Sequence, residues 1–195
     1  MAKKGRPRDV TIEHSILTAA YDLLLESGFE EVTIEKIAQK AGVSKVTIYK
    51  WWPNKAAVAA DSFFKGAASR LPVPDTGSVK EDILIHAMNL LLYMAGKEGK
   101  VISELIGHGQ GNSTLSEVFR QYYVKPRRAE AAGILRKGIE RGELSAELDV
   151  DSSIDLLYGP IFYRLLVTGE PLAEDKVRPI LLAAFEGMKY LVGRA

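Results

Sequence analysis

The sequence predicts an all-α protein, with an N-terminal three-helix helix-turn-helix domain followed by a C-terminal helical domain. Three observations favour this fold class. Apolar residues recur at helical spacing along most of the chain, and no segment shows the sustained period of two that is typical of strands. In addition, residues 33–55 hold two short helical patterns on either side of a Gly-Val-Ser turn. We expect a flexible basic arm at 1–10, the helix-turn-helix domain with its connecting helix at 11–70, and the second domain at 78–195.

Composition restricts the class of protein. The chain has 195 residues, of which 47% are hydrophobic and 26% charged, so it can bury a sizeable core in one or two domains. It contains no cysteine, which excludes disulfides, thiol catalysis and zinc-thiolate sites. No continuous apolar stretch has the pattern of a secretory or membrane segment, so we expect a cytoplasmic protein with no membrane partner.

The amino-terminal arm is strongly basic. The first eight residues, MAKKGRPR, carry four positive charges together with glycine and proline, which disfavour a stable helix. Arg6, between Gly5 and Pro7, suits a narrow minor groove, where the enhanced negative potential favours arginine. A solvated tail that adds only non-specific attraction explains the composition equally well.

Residues 11–28 are predicted to form the first helix, which covers the back of the helix-turn-helix. Gly28 provides its stop signal. The apolar positions with helical spacing are Ile12, Ile16, Ala19, Ala20, Leu23 and Leu24.

The turn region gives the most detailed prediction. Thr33 stands at the N-cap of a first short helix, and Gly42 ends that helix because glycine readily adopts the positive φ that a sharp turn needs. Ser44 can cap the second helix. Ile48 would then pack against the first helix, which leaves the opposite side of the second helix free. The side chains on and beside that free surface are Lys45, Val46, Thr47, Tyr49 and Lys50.

Charge indicates what this free surface binds. From residue 36 to residue 60 the chain has five lysines and no acidic residue, whereas the formal net charge of the whole chain is only +1. A local basic surface on a nearly neutral protein is typical of a docking face for a polyanion, here the major groove of double-stranded DNA. The alternative is a solvated helical hairpin in an all-α core.

A connecting helix is predicted to begin near Pro53, because proline suits a first-turn position, and to run through Phe64. Lys55 would lie at its amino terminus, where backbone N–H groups also favour a phosphate. The following segment, LPVPDTG, cannot continue a helix, so we place the domain boundary there.

The second domain is also predicted to be helical. Two capping boxes, Ser78 with Glu81 and Thr114 with Glu117, should open helices over 78–96 and over a long segment that ends near 141–142.

Proline and glycine divide the rest of the second domain. Pro126 should interrupt or kink the long segment. Two further helices fit 151–168 and 172–192. The glycine-rich run GHGQG at 107–111 is predicted to be a loop between helices.

One helix of this domain indicates a small-molecule pocket. Residues 78–96 are apolar except for the stripe Asp82, His86, Asn89 and Tyr93, which should lie along one line. If the stripe faces inward it supplies a few hydrogen-bonding groups in an apolar wall; if it faces outward it is simply the wet side. Because few charges are available, we expect an apolar or aromatic ligand. Aromatic residues that fit the wall equally well as plain core are Phe119, Tyr122, Tyr158 and Phe162.

The last two helices offer more apolar surface than two terminal helices need. Self-association into an intermolecular four-helix bundle is one outlet, and an intramolecular bundle is the other. The expected dimer contacts are Leu165, Ile180, Ala183, Ala184, Gly187, Tyr190 and Leu191.

Residues 16–55 resemble the DNA-binding domain of the tetracycline-repressor (TetR) family of bacterial transcription regulators. The likeness lies in the run ILTAAYDLLLESGFEEVTIEKIAQKAGVS and in YKWWPNK. It implies that Tyr49, Thr47 and Lys55 hold phosphates while the first turn of the second helix reads bases. Trp51 stands where similar proteins often have histidine or arginine, and Glu35 where some have a basic residue. We include Thr33 and Trp51 in the expected DNA contacts.

The second half of such chains carries the effector and dimerisation domain, and the segments ERGEL and LLYGPIFYRLLVTGEP resemble one subgroup of it. The resemblance therefore implies a homodimeric repressor released from operator DNA by a small molecule, which the residues of the 78–96 helix lead us to expect to be apolar or aromatic. We expect no cofactor and no metal, because the three histidines form no ligand pair.

Two alternatives remain open. One is a DNA-binding protein without an effector, which only a ligand-dependent change in DNA affinity would distinguish. The other is an all-α enzyme, although GHGQG lacks the strand and the Gly-Lys-Ser/Thr sequence of a phosphate loop.

Overall fold

A computed structural model describes residues 10–68 and 71–192 of the chain; Arg6 of the expected minor-groove arm lies outside these residues. The described part is helical apart from turns, connecting segments and one isolated bridge between Leu148 and Val192, in agreement with the predicted class. Its α-helices are α1 (Val10–Glu31), α2 (Ile34–Ala41), α3 (Lys45–Tyr49), α4 (Lys55–Ala68), α5 (Val79–Ala95), α6 (Lys97–Gln110), α7 (Ser113–Phe119), α8 (Lys125–Glu140), α9 (Val150–Tyr163) and α10 (Glu174–Gly187).

Helix α1 lies across α4 and α2 and breaks at the predicted stop, Gly28, which has φ 80° and ψ 170°. Ile16, Ile37, Ile48 and Phe63 are fully buried between these helices. Burial of each such side chain contributes on the order of 1.5–3 kcal/mol, so the helix-turn-helix is held mainly by its apolar contacts with α1 and α4.

The turn between α2 and α3 has the predicted caps. The Thr33 hydroxyl accepts a hydrogen bond from the Lys36 N–H at 3.2 Å, and the Ser44 hydroxyl accepts one from the Thr47 N–H, also at 3.2 Å. Gly42 has φ 68°, the left-handed conformation that the sharp turn requires. These local predictions are confirmed.

Helix α4 begins two residues later than proline alone suggested. Asn54 accepts a hydrogen bond from the Ala57 N–H at 2.9 Å, so it caps the helix and Pro53 precedes the cap. The segment 71–77 is not helical, as predicted.

Helix α5 opens with the predicted capping serine, since the Ser78 hydroxyl accepts from the Glu81 N–H at 3.4 Å. The predicted loop at 107–111 was wrong, because α6 continues to Gln110. The capping box at residue 114 was also wrong: the Asn112 side chain accepts from the Leu115 N–H at 3.1 Å, so α7 begins after Asn112.

Pro126 does not interrupt the helical path. The chain stays helical through it, but α7 gives way to a π-helical turn at Arg120–Val124 directly before α8, and Pro126 lies in the first turn of α8. Helix α9 ends in a second π-helical turn, Arg164–Thr168, and α10 is followed by a 3₁₀ turn at Met188–Tyr190.

Helix α5 lies at the centre of the second half of the chain, where it packs against α6, α8, α9 and α10. Contacts of α6 with α1, and of α4 with α7 and the first π-helical turn, join this half to the helix-turn-helix. Within the described ranges, no helix has the length and apolar character needed to cross a membrane.

Candidate DNA-binding face and effector cavity

Helix α3 presents its predicted outer face to solvent. Val46 is 65% exposed and Tyr49 52% exposed, and Lys45 and Lys50 are exposed beside them, whereas Thr47 is half-buried. Ile48, on the opposite side, is completely buried. Exposure of apolar side chains to water is unfavourable, so an exposed valine beside an exposed tyrosine is typical of a surface that contacts a partner.

The charge on this surface is lower than the sequence alone indicates. Three of the five lysines of residues 36–60 form ion pairs with carboxylates that lie outside this range. The pairs are Lys36 with Glu31 at 3.7 Å, Lys40 with Glu26 at 2.8 Å, and Lys45 with Glu35 at 2.9 Å. The hydrogen bond from Lys45 lowers the pKa of Glu35. Within the described ranges, Lys50 has no ion pair. Of the lysines beside α3, it therefore has the charge that is least neutralised by a carboxylate.

Lys55 fixes α4 to α1. Its Nζ donates to the carbonyl oxygens of Phe29 at 2.8 Å and Glu30 at 3.2 Å, and lies 4.3 Å from the centroid of the Phe29 ring. Two of the three ammonium donors are therefore used within the chain. A phosphate contact by the third donor stays a prediction, as do contacts by Thr33, which caps α2, and by the half-buried Trp51.

Trp52 follows α3 and connects it to α4. The indole is buried, and its Nε1 donates to Asp61 Oδ2 at 2.9 Å. Trp52 also meets Trp51 edge to face, with 5.7 Å between ring centroids. The sequence interpretation missed the role of Asp61. The feature that could have indicated it is a carboxylate in the mainly apolar first half of α4.

The second half of the chain encloses a cavity of about 360 Å³. It is bounded by α5, by the first π-helical turn and α8, by α9, and by Leu71 of the connecting segment. Three of the residues expected to bind a ligand line it, namely His86, Tyr158 and Phe162. Most of the remaining wall is apolar.

The other residues expected at the pocket do not line this cavity. Asn89 faces a shallow outer groove next to Glu174 and Arg178, and Tyr122 is exposed on the surface. Tyr93 is buried towards α1, with its hydroxyl 3.4 Å from that of Tyr21.

The predicted polar stripe is therefore divided among several neighbours. Asp82 is buried and accepts from the Thr76 N–H at 2.7 Å. Phe119, an aromatic residue expected in the cavity wall, instead stacks on Tyr123 with 5.2 Å between ring centroids. The stripe divides because α5 is surrounded by four other helices, so residues along one line meet different partners.

The structure adds a charged network that the sequence interpretation missed. Arg127 lines the cavity and is only 8% exposed; its Nη1 donates to Glu130 Oε2 at 2.5 Å and to the Leu71 carbonyl at 3.2 Å. Glu130 Oε2 also lies 3.5 Å from His86 Nε2, and His86 Nδ1 lies 2.6 Å from the Tyr158 hydroxyl. The expectation of few charges was wrong for this wall.

Burial and charge act in opposite directions on this network. Burial raises the pKa of Glu130, but the nearby imidazole of His86 and the Arg127 charge outweigh it and lower the pKa overall. Burial raises the pKa of Tyr158 and of Tyr123, so both phenols stay protonated at neutral pH. The lining therefore combines the cations of Arg127 and Arg128, the carboxylate of Asp155 and two neutral hydroxyl groups, which can orient the polar part of a small molecule. Glu130 is bonded to Arg127 but is not itself part of the lining.

The expected dimer residues divide in the same way. Ile180, Ala183 and Tyr190 are exposed, and Leu165, Gly187 and Leu191 are half-buried. Ala184 is only 7% exposed, so it packs inside the protomer. Adjacent residues of a helix point about 100° apart, so Ala184 lies off the exposed side of α10 that carries Ala183. Further exposed apolar residues extend this surface on α9 and the turn after it: Leu156, Tyr163, Leu166 and Val167.

A helix-turn-helix with an exposed α3, joined to a helical half with a lined cavity, defines a DNA-binding transcription regulator. The chain belongs to the TetR family: residues 16–61 match the model of bacterial regulatory proteins of the tetR family, and residues 73–184 match that of the tetracyclin repressor-like C-terminal domain.

Relatives and solved structures agree with this assignment. The chain is 55% identical over 188 residues to the HTH-type transcriptional regulator YdeS of Bacillus subtilis (strain 168), covering 96% of this chain and 95% of the relative. It is 27% identical to the DNA-binding transcriptional repressor TetR of Mycobacteroides abscessus, with 87% of each chain covered. The crystal structure of the TetR family regulator SCO0332 aligns with a TM-score of 0.83 and 36% identity, covering 90% of this chain and 97% of that one.

Replacing Lys50 with alanine should weaken binding to all DNA sequences and reduce the salt dependence by about one phosphate contact. The reason is that Lys50 lies exposed beside α3 without an ion pair in the described ranges. Lys40→Ala is the matched control, because Lys40 is held by Glu26 and should change the salt slope little. Titrations of labelled DNA at several salt concentrations measure the slope, and an unchanged slope for Lys50→Ala would contradict the assignment.

Proposed function

We propose that this chain is a homodimeric repressor that binds twofold operator DNA with α3 in the major groove and is released when a small molecule occupies the cavity. The observation that supports the proposal is that α4 contacts both the cavity wall, through Phe63 and Tyr123, and the residue Trp52 that follows α3, through Asp61. A cavity alone would be equally consistent with packing defects. Because the cavity wall contacts α4, which in turn holds Trp52 after α3, a bound ligand has a physical means of changing the affinity for DNA.

The contacts pass through α4. Tyr123 of the cavity wall lies 6.0 Å from Phe63 of α4, measured between ring centroids. Two residues earlier in α4, Asp61 holds Trp52, which follows α3. A ligand that displaces Tyr123 therefore acts on the helix that supports the reading helix.

A second contact connects the cavity to the segment that follows α4. Arg127 donates to the carbonyl of Leu71, in the connecting segment after α4. A change at the guanidinium thus acts on the same connection from the opposite end. Both contacts support a coupling between ligand and DNA, which in such systems is typically about 1–3 kcal/mol, or roughly 5- to 150-fold in affinity.

The dimer is supported by the apolar surface of α9 and α10. Two copies joined there would form a four-helix bundle, and twofold symmetry would present two α3 helices to half-sites spaced by one turn of DNA, roughly 34–36 Å. The M. abscessus relative is a DNA-binding transcriptional repressor, which supports repression as the outcome.

Operator titrations with and without a compound panel test the proposal. The operator fragment is first selected from random DNA by the purified full-length chain. At least one compound that binds the protein should lower its operator affinity within the roughly 5- to 150-fold range above. Compounds that bind while operator affinity stays constant would favour the alternative, a DNA-binding regulator without an effector.

Replacing Ala183 with glutamate should give monomers that keep their helix content but bind the operator poorly. Ala183 is exposed on α10, so a charge there is tolerated in the protomer but would be buried in the proposed interface. Val73→Glu, at an exposed apolar position of the connecting segment, is the matched control and should remain dimeric. Sedimentation velocity at low micromolar concentration measures the state, and a fully dimeric Ala183→Glu variant would place the interface elsewhere.

A further inference from the structure

The buried polar atoms without a partner are concentrated in one place. Within the described ranges, four buried side-chain nitrogen or oxygen atoms have no hydrogen-bond partner: Arg127 Nε, Arg127 Nη2, the Tyr123 hydroxyl and His86 Nε2. All three residues line the cavity. Buried polar groups in native proteins are nearly always bonded, so a cluster of exceptions around one cavity indicates groups that a ligand completes.

Arg127 defines the chemistry of that ligand. Its Nη1 is already bonded to Glu130 and to the Leu71 carbonyl, whereas Nε and Nη2 have no partner. Nε and Nη2 form one edge of the planar guanidinium and present two parallel N–H donors. This fork matches the two oxygens of a carboxylate, and charge-assisted bidentate pairs of this kind are among the strongest hydrogen bonds in proteins.

The neighbouring groups are also donors. Tyr123 precedes Arg127 by four residues, so the two side chains lie on one side of the helical path, and the positive charge of Arg127 acts on the phenol. The carboxylate of Glu130 lies 3.5 Å from His86 Nε2 and favours a hydrogen on that nitrogen. Because Glu130 already accepts from Arg127 Nη1, the donors left over at this end of the cavity are Arg127 Nε, Arg127 Nη2 and the Tyr123 hydroxyl, and a ligand that accepts hydrogen bonds would complete them.

We propose that the effector is a compact amphipathic monocarboxylate, with its carboxylate on the Nε–Nη2 edge of Arg127 beside the Tyr123 hydroxyl. This inference rests on the proposed function, in which the cavity is the effector site. The apolar body of the molecule lies against Leu90, Ile154 and Phe162, which line the same cavity. A volume of about 360 Å³ is near the lower end of the roughly 300–1,000 Å³ typical of ligand sites, so the body is a medium-length alkyl chain or one aromatic ring.

The position of the carboxylate also explains how it acts on DNA binding. The two free donor atoms are shielded from solvent, so the guanidinium and the groups covering it must shift as the carboxylate enters. The same guanidinium holds the Leu71 carbonyl after α4. Binding of the carboxylate therefore disturbs the connection between the two halves of the chain.

The test compares acids with matched neutral molecules. Octanoate is paired with octan-1-ol and 4-phenylbutanoate with 4-phenylbutan-1-ol, and binding to the full-length protein is measured by calorimetry in a buffer without carboxylates. We expect at least one acid to bind at least tenfold more tightly than its alcohol. Arg127→Met should abolish that preference, and Arg127→Lys should restore only part of it because lysine lacks the fork. Arg128→Met is the matched control and should keep the preference, since Arg128 also lines the cavity but is held by Asp151 and Asp155.

The outcomes are distinct. Equal binding of acid and alcohol, tighter binding of the alcohols, or no binding of either acid would overturn the carboxylate site, as would a preference that survives Arg127→Met. If Arg127→Met fails to fold by circular dichroism, Tyr123→Phe serves as the second variant and should weaken the acid alone. An acid that binds through Arg127 without changing operator affinity would support this site and contradict the proposed release mechanism, so the two can fail separately.

Discussion

Replacing Gly99 with alanine should destabilise the protein by roughly 3 kcal/mol, because the new methyl group meets backbone rather than a movable side chain. A Cβ built at Gly99 would lie 1.8 Å from the carbonyl oxygen of Met94. Met94 is in the last turn of α5 and Gly99 in the first turn of α6, so the clash can be relieved only by opening the corner between these helices. That corner places Glu104 of α6, whose carboxylate accepts from the Phe29 N–H at 2.6 Å and thereby holds α1.

Gly107→Ala is the matched control within the same helix. A Cβ at Gly107 meets nothing within 4 Å, so alanine should stabilise the protein by about 0.5–1 kcal/mol through its better helix propensity. Urea denaturation followed by circular dichroism measures both variants. Equal stabilities for the two variants would mean that the corner between α5 and α6 can open to accept the methyl group at little cost, which would contradict the prediction.

Local hydrogen bonds explain which parts of the fold could be predicted. Thr33, Gly42 and Ser44 act on backbone groups within a few residues, so their roles follow from sequence spacing and are confirmed in the structure. The capping box at residue 114 failed for the same local reason: Asn112, two residues earlier, also caps well, and spacing alone does not decide between them.

Long-range contacts explain what could not be predicted. The lysines around α3 are partly neutralised by Glu26 and Glu31 of α1 and by Glu35 of α2, and a count along the sequence treats these carboxylates as separate from the basic segment. Arg127 gave no signal either, since it lies among the charged residues KPRRAE, which have the composition of a solvated face. Its burial follows from the packing of α8 against α5 and α9.

The pocket prediction failed in part for the same reason. A polar stripe on an apolar helix predicts one shared environment only when a single neighbour covers it. Helix α5 is covered on several sides, so His86 reaches the cavity, Tyr93 reaches α1 and Asn89 reaches an outer groove. The helical period gave the right helix, and the tertiary packing decided which of its side chains line the cavity.

Replacing Trp52 with phenylalanine should lower both the free energy of unfolding and the affinity for the operator. Phenylalanine fills most of the buried space but lacks the indole N–H, so Asp61 Oδ2, which lies 2.9 Å from that nitrogen in a buried residue, loses a donor. Lys65 Nζ remains 3.8 Å from the same oxygen, but the lost hydrogen bond to the carboxylate should still cost about 1–3 kcal/mol. Because Trp52 follows α3 and Asp61 belongs to α4, the loss falls on the contact that holds the reading helix, and we expect operator affinity to fall by about tenfold or more.

The neighbouring tryptophan supplies the control for this prediction. Trp51 is half-buried and Trp51→Phe leaves the Trp52–Asp61 bond in place, so it should lower the free energy of unfolding by less than Trp52→Phe does, whatever it does to DNA binding. Adding Asp61→Asn to Trp52→Phe should recover part of the lost stability, since a neutral amide is less costly to bury without the indole than a carboxylate. Urea denaturation and operator titration of the three variants measure these effects. A Trp52→Phe variant with unchanged stability and unchanged operator affinity would show that the Trp52–Asp61 bond does not position α3, and would remove the last step from the proposed route between the cavity and DNA.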